Sequence, residues 1–160
     1  MKFSHSLLIM MACSFIIQYY IMSYLMSNDS KNIENSRGKI YASSLMALFM
    51  GLLEVVMYDH QYHVVSYKYY FLFLSLIALF WYLYKNQIGV DERNYLNEMI
   101  EHHSMAILTS EKILEKSSNY KVRRLANQIA SLQNQEINEM KGLIKSMDSE
   151  NKRRKNMNEI

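Results

Sequence analysis

This sequence predicts an all-α membrane protein, with three transmembrane helices followed by an antiparallel helical hairpin. Three observations carry that prediction. Half of the 160 residues are apolar, and they crowd into the first 84, with most charged residues behind them. Proline is absent and there are only four glycines, a composition suited to long helices and not to a turn-rich β fold. Finally, two amphipathic stretches near the C-terminus are parted by a single short polar break, Ser117-Ser118-Asn119. The chain is long enough for one domain and an appendage. The single cysteine, Cys13, rules out an intrachain disulfide. A net charge of +3 does not point to nucleic acid.

The first span runs from Leu7 to Met26, 20 uncharged residues, enough to cross a hydrocarbon core of about 30 Å. A cleaved signal peptide is the rival reading. Its apolar run would be shorter and would end in small residues. Here the run ends in Tyr19, Tyr20 and Tyr24, residues suited to a membrane interface, so a retained span is expected. Ser27 to Lys39 reads as a polar loop. Ile40 to Tyr58 is the second span, and it contains Glu54, a carboxylate that is costly in lipid and usually faces protein or water. Met46, Met50, Glu54 and Met57 follow one another at i, i+4, i+8 and i+11 and so share a helical face. Either methionine is simply apolar there and Glu54 lies near a membrane end, or the face serves metal contact or helix packing. His60 and His63 lie in the link that follows.

Val64 to Tyr84 is the third span. Lys68 can snorkel near one end, and Tyr67, Tyr69, Tyr70, Trp81, Tyr82 and Tyr84 gather toward both ends as an aromatic belt would. Three spans place the N-terminus and the C-terminal domain on opposite sides. Lys31, Arg37, Lys39 and Lys85 fall on the domain's side, with Lys2 and Lys68 on the other, so charge alone favours a cytoplasmic domain.

Asp91 to Lys116 carries the stripe of an amphipathic helix at Leu96, Met99, Ile100, His103, Ala106, Ile107, Ser110, Ile113 and Leu114. Asp91 and Glu92 suit its positive end. A second helix is expected from about Tyr120 to Met147, and then a basic tail, 148–160, without fixed structure. Gln133 and Glu136 interrupt the second stripe, and polar residues on a buried face need partners. With the turn centred near Ser118, His103 falls opposite Gln133. Met99 falls opposite Ile137, within a turn of Glu136 and Met140. Met99, His102, His103, Gln133, Glu136 and Met140 can therefore converge. The adjacent pair His102-His103 has Met99 three and four residues before it. Thioether and imidazole form a soft to borderline donor set, suited to copper and not to magnesium or calcium. A polar network that only sets helix register is the other reading.

The run Met99-Ile100-Glu101-His102-His103-Ser104-Met105-Ala106, followed by Ala126-Asn127-Gln128-Ile129 and Gln133-Asn134-Gln135-Glu136-Ile137-Asn138-Glu139-Met140, resembles the ferritin-like domain of unknown function numbered 305. The likeness covers about Asp91 to Ile144, and the first half of the chain looks like the three-span anchor of some bacterial members. It departs from the family in two ways: Glu101 stands where proline is common, and one hairpin supplies two of the four helices of a ferritin-like bundle. The resemblance implies copper binding and copper resistance in bacteria, commonly outside the cytoplasm. Carried over, it implies Met99, His102, His103 and Met140 as metal ligands, with Gln133 and Glu136 beside them and copper, as Cu(I), the cofactor.

The leading expectation is a non-enzymatic, membrane-anchored protein that sequesters copper or hands it to a transport partner. It would sit in a bacterial plasma membrane with the domain on the outer side. A structural or signalling membrane protein is the alternative. A di-iron oxidase fits less well, because its Glu-x-x-His repeats on two helices are not here. Two helices cannot cover stripes this wide, so a homodimer that completes a four-helix bundle is also expected.

Overall fold

A computed structural model describes residues 3–158. Among them there are helices, turns and loops and no strand. We number the long helices α1 (Phe3–Met26), α2 (Arg37–Tyr62), α3 (Tyr67–Lys85), α4 (Glu92–Lys116) and α5 (Tyr120–Asn158). Contacts divide the chain into two compact units. One holds α1 up to Leu25 together with Ser36–Val90, and the other holds Met26–Asn35 together with the chain from Asp91 onward.

In the first unit, α1, α2 and α3 are each long and apolar enough to cross a membrane. Lys2, counted above for orientation, lies outside the described residues. The stretch Ile17–Met22 of α1 is wound as a π-helix. Helix α2 lies between the other two and supplies Leu48 and Val55 to a core shared with Leu7 of α1 and Phe73 of α3. Gly51 is what allows that approach: a Cβ added there would stand 2.7 Å from the Phe73 ring and 3.0 Å from Met11. Most other large side chains of this unit face outward, among them Leu8, Ile9, Phe49, Phe71 and Leu74. That is the expected surface of a bundle bathed in lipid.

The third helix begins at Tyr67 and not at Val64. The reason is local. His63 takes a left-handed conformation at φ 52° and ends α2. The Asp59 carboxylate then reaches over the link, accepting from Ser66 N at 2.7 Å and from Ser66 Oγ at 2.7 Å. Val64 and Val65 are consumed in that turn.

In the second unit, α4 starts at a cap, with Asp91 Oδ1 accepting from Asn94 N at 2.8 Å. Ser117–Asn119 make the break, as the polar triplet predicts. Asn119 Oδ1 then accepts from Lys121 N at 3.0 Å and Val122 N at 3.3 Å, which starts α5. The two helices pack over Leu96, Ile100, Ile107, Ile137 and Met140, with Met99, Ile144 and Met147 at the margin. Helix α5 does not stop at Met147; it continues through Lys152–Lys155 to Asn158. Beyond Gly142 the chain has no glycine or proline, and lysine, arginine, glutamate and methionine are good helix formers. Glu159 and Ile160, the last of the expected tail, lie outside the described residues.

Candidate functional site

His103 is the centre of the second unit's polar chemistry. Its Nδ1 lies 2.7 Å from the carbonyl oxygen of Met99, one helical turn back. Its Nε2 lies 2.9 Å from Glu136 Oε2 on α5. A carbonyl only accepts, so Nδ1 carries a proton and donates it. A carboxylate also only accepts. The Nε2 contact therefore needs one proton more than a neutral imidazole and an ionised carboxylate hold between them. The His103 side chain is 14% exposed and that of Glu136 39% exposed.

Met140 is buried in the core of the hairpin, and Met99 packs against the same cluster. The structure brings His103 and Glu136 together, with Met99 and Met140 each one helical turn along in sequence on their own helices. It does not bring His102, which is exposed. Gln133, expected opposite His103, is half-buried, and it is Glu136, three residues on, that meets the histidine. Spacing read from a turn at Ser118 misses this by just under one helical turn. Among the described residues no three His, Cys, Asp or Glu side chains stand together as a metal site. A centre here needs the thioethers.

The methionine face of α2 is not gathered in the same way. Met46 is 45% exposed and Met57 57% exposed, while Met50 and Glu54 are half-buried. Glu54 accepts a hydrogen bond from Ser6 Oγ at 3.0 Å. A hydroxyl partner inside the helix bundle lowers the cost of a carboxylate at that depth.

A second node had no counterpart in the sequence reading. Ser104, next to His103, is fully buried. Its Oγ accepts from Asn28 N at 3.0 Å and Asn32 Nδ2 at 3.3 Å, and it shares a proton with Ser27 Oγ at 2.8 Å. Lys141 Nζ of α5 donates to Asn32 Oδ1, and Asn97 Nδ2 donates to the Asn35 carbonyl at 3.0 Å. The segment Ser27–Asn35, read as a plain loop, is thus an integral third strip of the hairpin domain. Its only sequence signal is a density of Ser, Asn and Asp, residues that bond backbone and side chains alike.

At the far end of the overlap, Arg93 forks onto Asp148, with Nη1 on Oδ1 and Nη2 on Oδ2, the latter at 3.2 Å. That hydrogen bond holds the Asp148 carboxyl below its usual range and raises the Arg93 guanidinium. Both side chains are half exposed, so the pair locks register more than it adds stability.

These features define a class: a helical protein with three membrane-capable spans and a hairpin domain whose two helices are joined by a histidine–glutamate pair. Residues 92–159 match the family model described as Domain of unknown function (DUF305), in agreement with the resemblance read from the His102-His103 and Gln133–Met140 motifs. The chain is also 29% identical to "Uncharacterized protein L153" of Acanthamoeba polyphaga mimivirus, over 146 residues, 91% of this chain and 95% of that one. An alignment of that length takes in the membrane half as well as the hairpin. No solved structure matches the chain.

Proposed function

We propose that the hairpin domain binds copper as Cu(I) and keeps it, or passes it on, at a membrane surface. The observation that carries this reading is the setting of His103. Its Nδ1 is tied to the Met99 carbonyl, which fixes the ring and leaves Nε2 as the coordinating atom, the usual support for a metal-binding histidine. A carboxylate meets that atom, and a thioether lies one helical turn away in sequence on each helix, Met99 on α4 and the buried Met140 on α5. Thioether sulfur selects a soft ion such as Cu(I). His103 Nε2, Met99 and Met140 would hold it. Glu136, a hard ligand, would leave Nε2 or stay as a neighbouring charge. His102, exposed on the next position of the helix, would join only by a change of rotamer. The metal would bring reversible soft-ligand binding, and no catalytic step is needed for storage or hand-off. We follow the family resemblance in placing the domain on the outer side of the membrane, with a transport partner as donor or acceptor.

A second reading is favoured by one observation: both ring nitrogens of His103 already have partners. A hairpin whose polar pair only sets helix register would look the same. The two separate by titration of the full chain in detergent with Cu(I) under reducing conditions, against a competing chelator. On the copper reading His103→Ala weakens binding by tenfold or more, roughly the effect of losing a ligand or its support. His63→Ala, in the link after α2, leaves it unchanged. Equal losses in both variants, or none in either, would defeat the proposal.

A further inference from the structure

Helix α5 is 39 residues long and α4 only 25. Arg93, at the start of α4, is matched by Asp148, so the residues after Asp148 extend past the end of their partner helix. That overhang, Ser149 to Asn158, is helical and spans about 15 Å. It carries Lys152, Arg153, Arg154 and Lys155 in succession, all exposed. The end it projects from is the one tied to the membrane spans by the chain itself. Helix α4 begins seven residues after Lys85 closes α3, a link that cannot stretch beyond about 25 Å. Asn35, which bonds Asn97 near the start of α4, is two residues from Arg37, where α2 begins.

We propose that this overhang is a second membrane contact, an electrostatic foot that rests on anionic lipid headgroups of the membrane its own chain crosses. Four successive residues on an α-helix turn through about 300°, so the charges form a ring and not a stripe. A ring suits a planar, diffuse anionic surface, which can be met from any rotation of the helix. A protein groove or a duplex would select one face. Glu150 is the one acidic residue of the described overhang, leaving it three charges in excess. Met157, 67% exposed, adds an apolar residue at the tip that the headgroup boundary can cover. The foot says nothing about which side the domain occupies, because it lies far beyond the 15–20 or so residues from a span end over which charge directs insertion.

The test uses the full chain in nanodiscs, with Cys13→Ser and Asn156→Cys carrying a fluorophore. Discs contain phosphatidylcholine alone or with about 30 mol% phosphatidylglycerol, and a trace of headgroup spin-labelled lipid as quencher. The expected result is stronger quenching in anionic discs. It should fall as salt rises to about 1 M, where the screening length shrinks to about 3 Å. Neutralising the ring to glutamine one residue at a time should weaken the contact roughly fivefold per charge. Equal quenching in both discs, or a four-glutamine variant that quenches like the parent while keeping its helicity, would overturn the proposal. Displacement of the label from anionic discs by an equimolar acidic peptide would also overturn it, in favour of a protein partner.

Discussion

Single atoms decide the character of the hairpin domain, and Ser104 shows it as well as His103. A hydroxyl has one proton and two lone pairs, and Ser104 Oγ uses them on Ser27, Asn28 and Asn32 while fully buried. Replacing it by alanine, which lacks only the hydroxyl, would leave the Asn28 amide and the Asn32 side chain facing a methyl group. Asn32 is buried, and a buried donor so stranded costs about 1–3 kcal/mol. Ser104→Ala should therefore lower the unfolding midpoint of the domain by several degrees. Ser149→Ala, on the exposed overhang, should leave it nearly unchanged. Hydrogen exchange should locate the loss at residues 27–35. Protection there equal to the parent's would show that Ser104 does not hold the strip.

At the scale of elements, the strip Ser27–Asn35 makes topology testable. It joins α1 to α2, yet it folds with α4 and α5. A segment hydrogen-bonded to a domain lies on that domain's side of the membrane. Reporters fused after Lys31 and after Lys85 should thus read the same side, and one fused after Gln61 the opposite side. Opposite readings at Lys31 and Lys85 would refute the three-span arrangement. Elements also differ in how they end. Helix α2 ends by the Asp59–Ser66 bridge, whereas α5 meets nothing that would stop it and runs on.

At the scale of the whole molecule, the hairpin leaves apolar surface uncovered. Leu125, Leu132 and Leu143 of α5 are 57%, 53% and 54% exposed, on the same broad face as Glu136. Apolar residues clustered on one face of a water-exposed helix mark an interface. Our reading is a two-fold homodimer, an isologous pairing that completes four helices and brings two histidine–glutamate pairs toward one axis. The mass of the full chain in nanodiscs or mild detergent should be that of a dimer, and Leu132→Glu should convert it to a monomer. The full chain is the right sample, because a fragment starting at Asp91 lacks the strip that satisfies Ser104. A folded parent that stays monomeric at tens of micromolar, with or without copper, would refute the pairing.

The type and order of the elements are legible along the chain, though not every boundary. Long apolar runs without proline favour helices, and in lipid a helix satisfies its own backbone groups. A 3.6-residue stripe on either side of Ser117-Ser118-Asn119 leaves little but a hairpin. These are local constraints, legible in order along the chain. The motif at Met99–Ala106 was legible too, and with it the residues to examine. Which of them meet depends on how the helices and the strip pack. The choice of Glu136 over Gln133 as partner of His103 turns on a shift of three residues. Ser104's bonds to residues 72 to 77 positions away have no periodicity to announce them. Hydrophobic patterning constrains faces, whereas hydrogen bonds between distant segments depend on distances of a few tenths of an ångström, which exist only once the chain has folded.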